Sequence, residues 1–481
     1  MARKGKRAGI EMRAAMWAAR HPASVGAPTA VLASVAQFGP ITTGGVAAGV
    51  GAGVLGWARS HPQSFQRFGA PHARATRRRW STYAGPRWSS IVQACDLVRD
   101  DRRTGTLLVP RVLRVKSPTP TIDRVTVKLL RGQSLRTWQD RQDELAAALN
   151  ATALGITRIK PQVLVLTVVR GDPFDDIVPA TPIPAEPDEV DLRAVELGED
   201  EYGQAWTEPL VGQSWLTSGA SGSGKNSLIW NPLRAVGPMI RDGLVRVWMV
   251  DPKGGMETLR ARELFHRWAD HVDDSDEDED KGLAYRGEAA IEVIEAFRDE
   301  MKATQLAVGG QGNRKFTVSG ETPLNVLMVD ELAMLTALSS GTTTRRLNQL
   351  LAEVMTQGRS TGYSVLAYLQ EPTKDIVPIR DLFTRRFSLR TTSASYVDMV
   401  LGDGARMRGA LADEIPVGDE FAGIGFRVDD RSRNPIRVRA GLVTDEEIDE
   451  LVRTCTPRHS GHTDQGRDGG ESTVVAFART G

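Results

Sequence analysis

The chain has 481 residues, 41% of them hydrophobic and 25% charged, which is typical of a globular protein with more than one domain. Its formal net charge of +1 gives no support for a uniformly basic DNA-binding protein, although basic residues crowd together before residue 117. The two cysteines, Cys95 and Cys455, are far apart and exclude a disulfide framework and a cysteine-based metal site.

Residues 1–104 are predicted to form a basic N-terminal region with one apolar membrane segment, at about residues 24–57. No charged residue lies between Arg20 and Arg59, and a membrane-spanning helix needs about 20 residues. Gly39-Pro40 divides the segment, so a single span over 41–57 and a tight helical hairpin both remain open. Basic clusters on both sides favour the hairpin. We expect membrane association; a flexible Ala/Gly-rich linker is the alternative.

Residues 105–180 are predicted to form a small α/β module with strands over 107–115, 125–130, 156–159 and 163–169 and a helix over 135–149. Residues 181–212 follow as a proline-rich linker with lead-in strands. Residues 446–481 are predicted to be a polar tail. The acidic run over 273–280 is interpreted as a solvated loop.

Residues 213–445 alternate apolar runs of strand length with helical stretches, which predicts an α/β domain whose mostly parallel sheet is covered by helices. The predicted strands are 215–216, 245–250, 324–329, 364–368 and 386–389.

The strongest motif is the string SGASGSGKNS, which has the Walker A spacing of a phosphate-binding loop between a strand and a helix. Its glycines let successive backbone N–H groups point at phosphate oxygens, and Lys225 places a positive charge between the β- and γ-phosphates of ATP. The predicted nucleotide-binding residues are Gly219, Ala220, Ser221, Gly222, Ser223, Gly224, Lys225, Asn226 and Ser227.

One position departs from the Walker A pattern. Asn226 stands where a serine or threonine usually holds Mg²⁺. Its amide oxygen is a candidate metal ligand, and Ser227 is a candidate contact through water. We expect weaker affinity for Mg²⁺.

An apolar strand ends in two carboxylates, Asp330 and Glu331, about 105 residues after the Walker A loop. This is the Walker B arrangement, in which Asp330 is predicted to hold Mg²⁺ and Glu331 to polarise the attacking water as general base.

Gln370 follows the next apolar strand and is a candidate sensor of the γ-phosphate, although an ordinary loop glutamine is equally compatible. Arg359 precedes that strand and is a candidate arginine finger for a neighbouring subunit; a solvated arginine at a helix end is the alternative. Asp251-Pro252-Lys253 ends another strand, where a structural turn is as plausible as a catalytic role. Further candidates for nucleotide or DNA contact are Arg385, Arg386 and Arg390.

Four strings carry a resemblance to a known family: SGASGSGKNSL, VWMVDPKGGMETL, NVLMVDELAML and QGRSTGYSVLAYLQEPTKDIVPIRDLF. In this order and spacing they resemble the FtsK/SpoIIIE family of DNA translocases. More narrowly, they resemble the FtsK-type (TraB-like) conjugative transfer proteins of actinomycete plasmids and integrative elements. The resemblance covers roughly residues 105–450.

The resemblance implies a RecA-like core that assembles as a homo-hexamer on double-stranded DNA, with ATP between subunits. It implies catalytic roles for Lys225, Asp330 and Glu331, strengthens Arg359 as the finger, and implies DNA transfer at a membrane or septum. A protein-translocating motor of the secretion type and a nucleotide-binding membrane scaffold with little hydrolysis are the alternatives. The single Walker A loop argues against the first, and Glu331 argues against the second.

Overall fold

The computed structural model describes residues 22–100, 105–174, 176–253, 255, 258–269, 279–310, 316–337, 341–370, 372, 378–428 and 433–457. They divide into two compact units. One comprises the described residues up to Gly85 together with Val115–Pro120, and the other comprises those of Pro86–Arg114 and those from Thr121 onward.

The first unit is helical. Its helices are α1 (Pro22–Ser60), a short turn over Pro62–Ser64, a π-helical turn over Phe65–Gly69 and α2 (Ala70–Ser81). Arg74 ties α2 to the connecting segment of this unit by donating a hydrogen bond from Nη2 to the carbonyl oxygen of Pro118, at 2.8 Å.

Helix α1 contains a kink at Gly39, whose φ of 78° and ψ of 161° are not helical. The following proline has no N–H to donate to the preceding turn, which accounts for the break at this point. Val35–Ser60, a stretch of 26 residues, is the one described helix that is long and apolar enough to cross a membrane. Its large apolar side chains are exposed, among them Phe38, Ile41 and Leu55.

The small module lies in the second unit, apart from Gly85, Val115 and Lys116. Its elements are α3 (Gly85–Ala94), β1 (Arg99–Asp100), β2 (Leu107–Leu108), β3 (Arg111–Lys116), β4 (Ile122–Lys128), α4 (Leu135–Gln139), α5 (Gln142–Ala148), β5 (Ala153–Lys160) and β6 (Val163–Val169). Strands β4, β6 and β5 pair antiparallel in that order, and β3 lies beyond β4.

Two predictions for this module need correction. The strand predicted over 107–115 is two strands, since Pro110 cannot donate to a ladder and its carbonyl accepts the indole N–H of Trp88 at 2.7 Å. The helix predicted over 135–149 is two helices, α4 and α5, separated at residues 140–141. Trp138, Leu145 and Leu149 are buried as their spacing predicts.

The main sheet has ten strands in the order β11-β10-β12-β13-β9-β14-β15-β16-β7-β8. Its strands are β7 (Val195–Asp200), β8 (Ala205–Glu208), β9 (Trp215–Ser218), β10 (Val245–Val250), β11 (Arg267–Ala269), β12 (Leu324–Val329), β13 (Tyr363–Leu369), β14 (Arg385–Leu389), β15 (Ile424–Val428) and β16 (Pro435–Ala440). The run from β11 to β14 is parallel, and the remaining four strands extend it antiparallel. The predicted mostly parallel α/β core is confirmed, with an antiparallel extension that includes the lead-in strands.

Helices cover both faces of this sheet. They are α6 (Lys225–Ala235), α7 (Gly237–Arg241), α8 (Glu279–Gly310), α9 (Leu332–Ala337), α10 (Gly341–Gln357), α11 (Ala394–Leu401) and α12 (Asp445–Cys455). Short 3₁₀ segments occur at Pro187–Glu189, Leu259–Leu264, Gly358–Ser360, Arg380–Leu382, Arg406–Arg408, Ala412–Glu414 and Asp419–Phe421. Alternate residues of β12 enter two separate cores, Val326 and Met328 on one face and Leu327 and Val329 on the other.

The segment predicted to be a polar tail begins within α12. Leu451 and Cys455 of this helix are buried in the core beside α7, so packing of an apolar stripe orders the chain past the predicted boundary at 445. Residues 458–481 lie outside the described residues, as do residues 273–278 of the acidic run; Glu279 and Asp280 begin α8.

Candidate nucleotide-binding site

The site forms where four parallel strands end at one edge of the main sheet. Val250 of β10 is level with Val329 of β12, and Leu369 of β13 is level with Ser218 of β9. The loops that follow these strands therefore start side by side. In open α/β sheets, ligands bind in this position.

Two backbone hydrogen bonds seat the phosphate-binding loop between β13 and β14. The N–H of Gly219 donates to the carbonyl of Leu369 at 3.0 Å, and the N–H of Ala220 donates to that of Arg390 at 2.8 Å. Helix α6 starts directly after Gly224, which has a φ of 88°. A β-carbon there would lie 2.2 Å from the backbone nitrogen of Gly423, so both conformation and space require glycine.

Lys225 is buried and lies across this loop. Its Nζ donates to the carbonyl oxygens of Gly219, at 2.6 Å, and Ala220, at 3.3 Å. Burial lowers the pKa of Lys225, while the nearby carboxylate of Glu331 acts in the opposite direction. The loop N–H groups, the amino end of α6 and this ammonium group are suited to an anion such as a phosphate.

The carboxylate pair follows β12 and is almost fully buried. Asp330 is 2% exposed and Glu331 is 4% exposed. Glu331 has a φ of 57°, a left-handed conformation that is unusual outside glycine and often marks a functional site. Its Oε1 accepts the backbone N–H of Gln370 at 3.1 Å. Its Oε2 is buried and accepts no hydrogen bond from the described residues, which leaves an acceptor for a water molecule.

The donor set fits Mg²⁺ bound together with phosphates. Mg²⁺ takes oxygen ligands and is usually held by one or two carboxylates plus substrate phosphates and waters. Asp330 and Glu331 supply such oxygens beside the loop, and the described residues contain no cluster of three or more potential ligands that would hold an ion without a nucleotide. Asn226 is exposed in the first turn of α6, whereas Ser227 is buried.

The other candidate residues fall at two places. The backbone of Gln370 contacts Glu331, and Arg390 donates from Nη2 to the carbonyl oxygen of Ser221 at 2.5 Å, so both lie at the phosphate-binding loop. Arg359 is exposed at the opposite end of the sheet, beside Gly212, which precedes β9. Arg385 and Arg386 open β14 at that same far end.

The residue whose position sequence reasoning did not resolve is Lys253. Its Nζ lies 3.1 Å from Oδ2 of Asp330 and 3.6 Å from Oε2 of Glu331. A lysine three positions after the strand VRVWMV is a weak signal by itself. Only the pairing of β10 with β12 turns it into a contact with the carboxylates.

Comparisons with known proteins give structural matches alone, since no family model and no curated protein matches the chain. The pCW3 conjugation coupling protein TcpA, solved as a monomer with ATPγS, is 17% identical with a TM-score of 0.48, covering 76% of this chain and 98% of that one. The cytoplasmic domain of the Thermomonospora curvata type VII secretion ATPase EccC is 19% identical with a TM-score of 0.42, covering 58% of this chain and 33% of that one.

A third match is the genome packaging NTPase B204 of Sulfolobus turreted icosahedral virus 2, solved with ATPγS. It is 14% identical with a TM-score of 0.28, covering 48% of this chain and 98% of that one. This chain has a mostly parallel α/β sheet with helices on both faces, and the loop with the Walker A pattern and the carboxylate pair lie side by side where its parallel strands end.

Proposed function

We propose that this protein is an ATP-dependent translocase of double-stranded DNA that works as a homo-hexamer at a membrane or septum. The observation that carries the proposal is the convergence of Lys225, Asp330 and Glu331 at one sheet edge, within a chain whose motifs follow the order and spacing of DNA translocases.

Each residue has a definite role in this proposal. Lys225 and the N–H groups of residues 219–227 hold the phosphates of ATP. Asp330 and Asn226 hold Mg²⁺, which would neutralise charge on the transferred phosphoryl group. Glu331 orients the attacking water through Oε2, which accepts no hydrogen bond from the described residues, and accepts a proton from that water; Gln370 is held against Glu331 to respond to the γ-phosphate.

The position of Arg359 supports the proposed assembly into a homo-hexamer. Strand β13 separates it from Gln370, and seven strand residues span roughly 20 Å, which is too far for an arginine side chain to reach its own site. An exposed arginine at that end is positioned to serve a neighbouring subunit, as an arginine finger does.

The membrane assignment rests on α1. A 26-residue helix segment with exposed apolar side chains needs a nonpolar environment, and clusters of Lys and Arg flank the apolar stretch in the sequence. Such basic clusters favour the anionic cytoplasmic surface of a membrane, the side on which the ATPase domain (residues 213–445) would work.

The test uses the full chain reconstituted into vesicles that contain anionic phospholipid. Flotation with the vesicles in a density gradient is the expected result for membrane attachment. ATP hydrolysis should then rise at least several-fold with linear duplex DNA, but not with single strands or with an unfolded polypeptide. Displacement of a third strand from a triplex on that duplex would report movement.

Lys225→Ala and Glu331→Gln are the matched controls, and both should abolish the DNA-stimulated rate. Hydrolysis that ignores duplex DNA but rises with polypeptide would replace the proposal with a protein-translocating motor. ATP binding without turnover under every condition would instead favour a scaffold.

A further inference from the structure

Lys253 is the one cation in direct contact with the carboxylate pair among the described residues. It donates a hydrogen bond from Nζ to Oδ2 of Asp330 at 3.1 Å. Both carboxylate side chains are almost fully buried, whereas the Lys253 side chain is 29% exposed. Lys225 points elsewhere, toward the carbonyl oxygens of its own loop.

The turn that carries Lys253 is fixed by Asp251. One oxygen of the fully buried Asp251 accepts the backbone N–H of Lys253 at 3.1 Å, and the other accepts the hydroxyl of Thr258 at 2.9 Å. That hydroxyl in turn accepts the indole N–H of Trp268 at 3.1 Å. Asp251 is therefore a positioning residue. Both of its oxygens accept hydrogen bonds within the turn, and these bonds hold the backbone of Lys253 in place.

Charge explains why a lysine is needed there. Two adjacent buried carboxylates repel each other and are costly to remove from water unless a cation accompanies them. The ammonium group of Lys253, 3.1 Å from Asp330, is the cation that accompanies them. A lysine has a flexible stem and a compact charge, so it can leave a partner without disturbing the backbone.

We propose that Lys253 is a built-in counter-ion that competes with Mg²⁺ for Asp330. Without a nucleotide, the ammonium group satisfies the carboxylate pair and keeps divalent ions from binding there alone. When Mg²⁺ and ATP bind together, Asp330 would hold the metal, and Lys253 would leave Asp330 and be able to move toward the phosphates. The inference rests on the proposed role of Asp330 as a metal ligand and is independent of the DNA substrate.

The experiment measures thermal unfolding of the full chain without nucleotide or DNA, first in EDTA and then in millimolar Mg²⁺. We expect the wild-type midpoint to be the same in both. Lys253→Met should unfold roughly 2–5 °C lower in EDTA, a modest shift because the lysine is partly exposed, and Mg²⁺ should recover at least half of the loss. Lys253→Arg should behave like the wild type.

The control is Lys302→Met, which removes a lysine paired with Glu353 at 2.7 Å away from the site and should create no response to Mg²⁺. In Lys253→Met/Asp330→Asn the recovery by Mg²⁺ should disappear. If Lys253→Met does not fold, Lys253→Gln replaces it, and Mn²⁺ binding followed by electron paramagnetic resonance provides a second measurement. Mn²⁺ should bind the variant at least several-fold more tightly than the wild type.

Two results would overturn the proposal. The Lys253 variants could unfold like the wild type in EDTA and bind Mn²⁺ no better, which would mean that the lysine does not neutralise the pair. Alternatively, they could be destabilised with no recovery in Mg²⁺, which would make Lys253 a structural residue only. A failure of DNA stimulation would leave both measurements unchanged, so the two proposals fail separately.

Discussion

Two buried glutamates at opposite ends of the main sheet differ in the partners of their carboxylate oxygens. We interpret one as a structural residue and the other as a reactive one. Glu208, at the far end, is 2% exposed and accepts the indole N–H of Trp206 at 3.0 Å. Arg385 and Arg427 lie 3.7 and 3.6 Å from its two oxygens. Glu331, at the loop end, is equally buried, yet its Oε2 accepts no hydrogen bond from the described residues.

This difference indicates that burial alone does not identify a reactive carboxylate. A glutamate that pairs with two half-buried arginines holds strands together, since removing it would leave both without this carboxylate partner. A glutamate with a left-handed backbone and one buried oxygen that accepts no hydrogen bond, and has only a lysine 3.6 Å away, retains an acceptor that folding did not use. The second kind is the better candidate for a general base.

The largest expected effect comes from neutralising each glutamate in turn. Glu331→Gln should lower ATP turnover by on the order of 10³-fold, as expected for loss of a general base, with almost no change in the unfolding midpoint. Glu208→Gln should do the opposite, lowering the midpoint by several degrees, roughly 4–8 °C, while turnover at 20 °C stays close to wild type. ATP turnover and calorimetry on both variants decide the matter. Equal losses of stability in Glu331→Gln and Glu208→Gln would contradict the distinction between a catalytic and a structural glutamate.

The next effect tests whether the far end of the sheet completes a neighbour's site. Arg359→Ala should lower turnover by about 10²-fold through loss of one charge at the transition state. One active site would then take Glu331 from one subunit and Arg359 from its neighbour. In assemblies that mix Arg359→Ala with Glu331→Gln subunits, some sites contain both intact residues, so part of the activity should be restored.

Arg345→Ala is the control, since it removes an exposed arginine from α10 and should leave turnover intact. Activity of the mixture that never exceeds the average of the two separate variants would argue against a finger acting between subunits.

The smallest effect concerns Asn226 at the loop end. Asn226→Thr restores the hydroxyl that Walker A loops usually offer to Mg²⁺ and should lower the Mg²⁺ concentration for half-maximal turnover by a few-fold, a difference of roughly 1 kcal/mol. Stability should not change, because the residue is exposed. A Mg²⁺ titration that is unaltered would show that Asn226 does not contact the metal.

The sequence alone predicted the parallel core and the chemical motifs because both depend on local patterns. Apolar runs such as that of β12 define buried strands, and the glycines and lysine of residues 219–225 define a phosphate-binding loop. It did not predict the split of the 135–149 helix or the burial of Leu451, because such details depend on packing against distant parts of the chain.

The sequence by itself determined which side chains are of the types suited to binding phosphate, holding a metal and accepting a proton, since these capacities belong to side-chain types at short spacings. Only the tertiary structure decided which of them meet. The register of β10 beside β12 brings Lys253 to Asp330, 77 positions apart in the chain, and leaves Arg359 at the opposite end. Strand order and register are set by packing of the whole sheet, so no local pattern contains them.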